Sequence, residues 1–329
     1  MGKQIMLATL GFLFVLASTY AQTTRYFLYV TNTNTSYLDA GSANLSAYAI
    51  NTSTGALTEV RGSPFVAGTY PIGIAVDPAG RFVYVANNVS VVIGGMGVFA
   101  LTINSSTGAL APVGGSPYAG SSPFSVVVDP MGKFLYVANK GTSDTAGSIS
   151  AYTINPSTGA LTEVRGSPFV AGMYPAGITV DRTGKFLYVA NSGSANASAY
   201  AINSSTGALT EVRGSPFAAG TSPAGITVDR TGKFLYVANN GSANVSAYAI
   251  NTNSGSLTEV GGSPFAGSIP KEIAADPTGK FVYVANNGSD NLSVYAINPR
   301  SGALSAIDGS PFDVSTNPYC VSIAAVTGP

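Results

Sequence analysis

PAGITVDRTGKFLYVAN occurs twice without change, at Pro175–Asn191 and at Pro223–Asn239. In each copy two short runs, GITV and FLYVA, flank Asp-Arg-Thr-Gly. β-Branched and aromatic residues suit a pleated surface, and aspartate and glycine suit a tight reversal. The stretch therefore reads as two antiparallel strands joined by a turn. Its second run is apolar at successive rather than alternate positions, which requires that strand to be covered on both faces.

The same pattern runs through the chain. Tyr-Val-(Ala/Thr)-Asn begins at Tyr29, Tyr84, Tyr136, Tyr188, Tyr236 and Tyr283, and Gly-Ser-Pro-(Phe/Tyr) begins at Gly62, Gly115, Gly166, Gly214, Gly262 and Gly309. Within one unit the apolar stretches are Gly225–Val228, Phe234–Ala238, Val245–Ile250 and Ser256–Val260, here called strands A, B, C and D. Four antiparallel strands repeated about every 50 residues predict the blades of a β-propeller. The composition agrees: only 9% of residues are charged, against roughly a quarter in ordinary soluble domains, because sheets stacked face to face exclude charge. Strand A lies at the crowded axis and alternates small residues, as in Gly73 with Ala75 and Gly177 with Thr179. The outermost strand D carries Glu59, Glu163, Glu211 and Glu259, and charge on an edge strand opposes aggregation.

The first repeat opens with a B strand, Tyr26–Val30, and the chain ends with an A-like stretch, Pro318–Ile323. The last strand is thus expected to complete the first blade. The fold class is all-β: a six-bladed ring of four-stranded blades, one domain over residues 22–329. Residues 1–21 differ in kind. Lys3, the apolar run Ile5–Ala17 and the small residue ending Thr19-Tyr20-Ala21 have the order of a cleavable secretory signal. The mature chain is expected outside the cytoplasm, periplasmic or extracellular, as a monomer with no membrane span. Cys320 is the only cysteine and has no partner for an internal disulfide.

Lysine plus arginine equals aspartate plus glutamate at 15 each, so no basic face for nucleic acid is indicated. The chain has no histidine, which excludes histidine-dependent triads and histidine-ligated metals. No phosphate-cradling glycine loop or CxxC pattern is present, and neither a cofactor nor a metal is implied.

The Tyr-Val-Ala-Asn strand, the Val-Asp-Pro-x-Gly turn at Val76–Gly80 and the Thr-Gly-Ala-Leu stretch at Thr206–Leu209 together resemble the YVTN-type propellers of the 6-phosphogluconolactonase-like lactonase family. The resemblance covers essentially all of residues 22–329. It implies a propeller, commonly of seven blades in that family, and the hydrolysis of a sugar lactone or related ester. Muconate-type members are associated with histidine chemistry, which this chain lacks.

Candidate chemistry is sought where the repeat breaks, on the face shared by the D-to-A and B-to-C connections. The sharpest break is Lys271-Glu272 in the fifth D-to-A connection, where other units carry Ile72-Gly73, Phe124-Ser125, Ala176-Gly177, Ala224-Gly225 and Tyr319-Cys320. Poor solvation there would raise the carboxyl pKa and suit Glu272 to general-base work, with Lys271 meeting an anion. The competing reading is an ion pair that caps the channel. Longer B-to-C connections in the first three units bring Tyr37, Asp39, Lys140 and Asp144 to the same face. Tyr70, Tyr174 and Tyr319, near the start of strand A, either line the mouth for a sugar ring or pack against the Pro-Phe segment. Asp77, Asp129, Asp181, Asp229 and Asp276 start the A-to-B turns on the opposite face and read as turn residues. Two functions follow: a lactone hydrolase, or a non-catalytic module that takes a small molecule, protein or glycan on the same face.

Overall fold

Each repeat folds into one antiparallel sheet. The computed structural model describes residues 25–314 except 33–43, 52–53, 55, 69, 89–96, 119, 121 and 143–144, together with residue 318. These residues form six sheets, one per repeat, and every neighbouring pair of strands is antiparallel. In the fourth blade the order from axis to rim is Pro175–Val180, Phe186–Asn191, Asn196–Ile202 and Leu209–Glu211. The axial strands of the other blades are Pro71–Val76, Pro123–Val128, Pro223–Val228 and Pro270–Ala275. The first blade begins with its second strand, Tyr26–Asn32. The expected closing stretch Pro318–Ile323 lies, apart from Pro318, outside the described residues, as do residues 1–21.

The outer strand differs from the sequence expectation. Ser256–Val260 reads as one continuous run, but the strand is split into Leu257–Glu259, paired with Tyr248–Ile250, and Phe265–Ala266, paired with Asn244–Val245. The Gly-Ser-Pro motif occupies the break. Gly262 sits at φ +88° and the Ser263–Pro264 peptide is cis. The ladder is not left open there, because the Ala247 amide donates to Ser263 Oγ at 3.1 Å. The same serine contact recurs at Ala100, Ala151 and Ala199. The motif is therefore a device for bending the rim strand while its inner neighbour's donor stays satisfied.

The A-to-B turns behave as read. Asp181 is buried and its Oδ1 accepts the amides of Lys185 and Phe186 at 2.7 and 2.8 Å, while Oδ2 accepts Thr183 N at 3.1 Å. Equivalent bonds form at Asp129 and Asp229. These carboxylates hold the turn.

The core lies between sheets rather than within them. One cluster joins Phe134, Tyr136 and Ala138 of the third blade to Ile178, Leu187, Val189 and Tyr200 of the fourth. All six residues of Phe186–Asn191 are buried. The seam is locked near the face that carries the A-to-B turns by two contacts that involve the same turn of the next blade. Tyr188 donates its hydroxyl to the Gly255 carbonyl at 3.2 Å, and the Phe186 ring lies over Gly255 itself. The bond repeats from Tyr29 to Gly108, Tyr84 to Gly159, Tyr136 to Gly207 and Tyr236 to Gly302. Gly255 has φ +76°, and a Cβ there would stand 2.3 Å from Phe186 Cδ1, so no other residue fits. Further out, Tyr200 donates back to the Val170 carbonyl of the preceding blade at 2.8 Å. Tyr248 and Tyr295 do the same to Ala218 and Ala266. Burial drives the hydroxyl pKa of Tyr188 and its equivalents upward, so they stay protonated donors.

Two substitutions test the seam. Tyr188→Phe is expected to lower unfolding stability by about 1–2 kcal/mol, the cost of one buried hydrogen bond and its stranded acceptor. Gly255→Ala is expected to cost more, at least about 2 kcal/mol, through overpacking and left-handed strain. Denaturant titration of both variants checks the order.

Candidate functional site

Axial strands of adjacent blades come almost into contact. A Cβ on Gly177 would meet the Ala224 carbonyl oxygen at 2.4 Å, and one on Gly73 would meet that of Phe124 at 2.9 Å. This explains why the second residue after the strand-opening proline is Gly73, Ser125, Gly177 and Gly225 in successive blades. Proline suits that opening position because no ladder donor is required there. The next blade breaks the series with Glu272.

Lys271 and Glu272 lie within the axial strand Pro270–Ala275, not in the connection before it as the sequence reading placed them. The strand starts at its proline, two residues earlier than the apolar pattern suggests. Both side chains are partly buried. Glu272 Oε1 accepts the Ile273 amide at 3.1 Å and lies against Gly225, where a Cβ would be only 2.7 Å from it. The missing side chain of the preceding blade thus makes the niche for this carboxyl. Burial pushes the Glu272 pKa up to about 7, against the smaller opposing effects of the Ile273 amide and the Lys271 charge. A carboxyl that titrates near neutrality can take a proton from water and give it back.

A second cluster spans the third and fourth blades. Phe124 follows the opening proline of the third blade's axial strand, Lys140 follows the strand Phe134–Asn139, and Tyr174 precedes the fourth blade's axial strand. The Lys140 ammonium lies 5.2 Å from the centre of the Phe124 ring and 5.6 Å from that of Tyr174. Tyr174 takes the left-handed conformation, φ +50°, and its ring lies over Gly193, where a Cβ would be 2.6 Å from Cδ2. Two aromatic faces around one cation are favourable by about 0.5–1 kcal/mol each when exposed. The sequence reading placed Lys140 on this face but did not join it to Phe124. The available signal was its register: Asn88 and Asn240 occupy the equivalent position, and each donates Nδ2 to the opening proline of the next blade, Pro123 or Pro270, at 3.2 Å. A lysine there gives up that stitch.

Tyr70 stands before the second blade's axial strand, partly buried, its carbonyl accepting the Asn88 amide at 3.1 Å. Tyr70, Tyr174 and Glu272 therefore sit on alternate blades, and no two of them share a seam. Tyr37, Asp39, Asp144 and Tyr319 lie outside the described residues. Among the described residues, no three aspartate, glutamate, cysteine or histidine side chains converge as metal ligands, and no helix is long and apolar enough to cross a membrane.

The family model described as "Lactonase, 7-bladed beta-propeller" matches residues 20–128, 121–218 and 214–323. A 6-phosphogluconolactonase of Formosa agariphila is 41% identical over 69 residues, which is 21% of this chain and 19% of that protein. The match thus spans about a fifth of that relative's length. The periplasmic gluconolactonase PpgL of Pseudomonas aeruginosa superposes with a TM-score of 0.69 at 23% identity, covering 89% of this chain and 83% of that one. A functionally unknown protein from Desulfotomaculum acetoxidans does so with a TM-score of 0.65 at 16% identity, covering 83% of this chain and 80% of that one. These two likenesses show the shared propeller fold. The described residues form six sheets rather than seven, yet family matches run from one end of the repeat array to the other, and the chain belongs to the lactonase family of β-propellers.

Proposed function

We propose that the protein hydrolyses a sugar lactone or related ester outside the cytoplasm, with Glu272 as general base. The observation that carries this reading is the carboxyl itself: a glutamate at the crowded axis, in a register that the other described axial strands fill with glycine or serine, with its pKa raised to about 7. In the reaction Glu272 accepts a proton from water as the water oxygen attacks the lactone carbonyl. Lys271 steadies the oxyanion that forms. The ring C–O bond then breaks, and the proton passes from Glu272 to the departing ring oxygen, leaving the hydroxy acid. Family membership and the names of the matched lactonases support this substrate class. The signal-like residues 1–21 and the periplasmic neighbour support export.

A second reading rests on the aromatic cluster. Lys140, Phe124 and Tyr174 offer two ring faces and a cation to a glycan or other polar ligand. In that case the same face binds and does not turn over, and Glu272 is an ion-pairing cap.

A lactone panel followed by proton release separates the two. Hydrolysis is expected, with kcat/KM rising with pH through an apparent pKa near 7 as Glu272 ionises, and falling at least about 100-fold in Glu272→Gln, the usual scale of general-base loss. Absence of turnover, or turnover unchanged in Glu272→Gln, removes the hydrolase reading. A ligand-dependent rise in Tm that is lost in Lys140→Ala, without turnover, establishes the second.

The carboxyl also makes a stability prediction that does not depend on substrate. In the unfolded chain it ionises from about 4.5, in the folded protein from about 7. Between those values the unfolded state releases its proton first, so stability declines across that window and is fully reduced above it. The penalty is on the order of 3 kcal/mol. Glu272→Gln is therefore expected to raise Tm at pH 8 and to leave it unchanged at pH 4, measured by thermal melts of both proteins.

A further inference from the structure

Acidic and basic residues are equal in number, but the fold does not mix them. Each described A-to-B turn is followed at once by a cation: Arg81, Lys133, Lys185, Lys233 and Lys280, one in each blade from the second to the sixth, all exposed. The rest of the turn varies: its second residue is proline or arginine, and its third is alanine, methionine or threonine. Folding does not account for the recurring charge. Each of these residues gives its backbone amide to the turn aspartate, as Lys133 does to Asp129 Oδ1 at 2.6 Å and Lys280 to Asp276 Oδ1 at 2.7 Å, and every residue but proline has such an amide. Among the described residues Arg81 alone of the five brings its charged group to a carboxylate, that of Asp77 at 3.3 Å. The four lysine ammonium groups meet none.

The C-to-D turns lie on the same face. Arg81 Nη1 donates to the Pro156 carbonyl of the next blade's C-to-D turn at 2.7 Å, and Ile202, which ends a C strand, gives its amide to the Lys185 carbonyl at 2.8 Å. Neither kind of turn adds an acid beyond the turn aspartates, whereas Arg182, Arg230 and Arg300 add exposed cations. The turn aspartates are buried and their oxygens are taken by amide donors, so they weaken the field of this face without covering it. Exposed acids stand elsewhere. Glu59, Glu163, Glu211 and Glu259 oppose Tyr48, Tyr152, Tyr200 and Tyr248, two residues and so roughly 7 Å up the rim from the turns. Asp290 and Asp313 lie at the other end, beside Asn291. Stacked sheets are roughly 10 Å apart, about one Debye length at 0.1 M salt, so below that ionic strength the fields of neighbouring cations add.

We propose that this face docks on an anionic phospholipid surface, with the lysine ammonium groups against headgroup phosphates. The occupant follows from charge and arrangement. The cations stand at the ends of turns of equal length, one per blade around the axis, rather than in a line along one strand. A ring of charges at one level matches a planar array of phosphates. Met131, 73% exposed within the third blade's turn, offers the same plane an apolar group of the kind that enters the headgroup boundary. Docking by this face leaves the end that carries Glu272 directed to solution. The inference rests on the placement of charge and holds whether or not the lactone reading does.

Sedimentation of the full chain with vesicles of equal parts phosphatidylcholine and phosphatidylglycerol, beside vesicles of phosphatidylcholine only, tests the docking. Binding to the anionic vesicles is expected to be at least about tenfold tighter than to the neutral ones and to weaken as salt is added. Each lysine near an anionic surface contributes about fivefold, so the triple variant Lys133→Gln, Lys185→Gln and Lys233→Gln is expected to bind about a hundredfold more weakly. Its Tm is expected to be unchanged, because the amides that hold the turns remain. The triple variant Arg61→Gln, Arg165→Gln and Arg213→Gln removes the same charge from the rim and is expected to bind within about twofold of the parent, since charges beyond a Debye length are screened. Binding unchanged in the lysine variant, or an equal loss in both variants, overturns the proposal. Equal binding to neutral vesicles also overturns it and points to an apolar segment such as residues 1–21. No uptake on anionic vesicles overturns it too, and capture by soluble heparin in that case identifies a linear polyanion as the partner.

Discussion

The fold depends on a contact between sheets. Each B-strand tyrosine from Tyr29 to Tyr236 crosses the seam to a glycine carbonyl in the next blade's turn, and the phenylalanine two residues before it, as at Phe27 and Phe186, covers that same glycine. Neither half of the contact is available to a blade standing alone. The apolar clusters likewise combine residues of two adjacent blades, as in the joining of Tyr136 to Leu187 and Val189. Stability is therefore a property of neighbours, as in other repeat architectures.

The same crowding gives the axis its chemistry. Where axial strands approach closely enough that a methyl group would collide with a carbonyl oxygen, only the smallest side chains are accommodated without cost. A glutamate in that series is a local conflict with the packing rule, and conflicts of this kind concentrate at functional sites. Glu272 is accommodated because Gly225 beside it lacks a side chain, and its carboxyl is held where burial opposes ionisation. A perturbed carboxyl at the axial end of a propeller is a site with a physical rationale, whereas the repeated aspartates below it are consumed by turn hydrogen bonds.

Much of this was legible in the residues. The runs FLYVA and GITV, the Asp-x-x-Gly turns and the spacing of the tyrosines led to blades, strand order and the all-β class, and the broken register at Lys271-Glu272 was visible as a substitution within a repeat. The split of the rim strand was not visible, because Gly-Ser-Pro reads as an ordinary turn until Ser263 Oγ is seen receiving the amide of a neighbouring strand. The cluster of Lys140, Phe124 and Tyr174 was likewise hidden: its members are 16 and 34 residues from one another along the chain, and although Phe124 and Lys140 meet at the open end of one hairpin, Tyr174 reaches them from the next blade.

Periodicity alone thus determined which residues form strands, which faces are covered and where the pattern fails, since hydrophobic spacing and turn chemistry are local properties of the chain. Tertiary structure decided what those positions touch. The Tyr188 hydroxyl finds Gly255, Glu272 finds the gap at Gly225, and Lys140 comes to lie between two rings. The contacts of Tyr188, of Glu272 and of Lys140 with Tyr174 span the space between blades, and that space is fixed by how sheets stack, which no local sequence rule encodes.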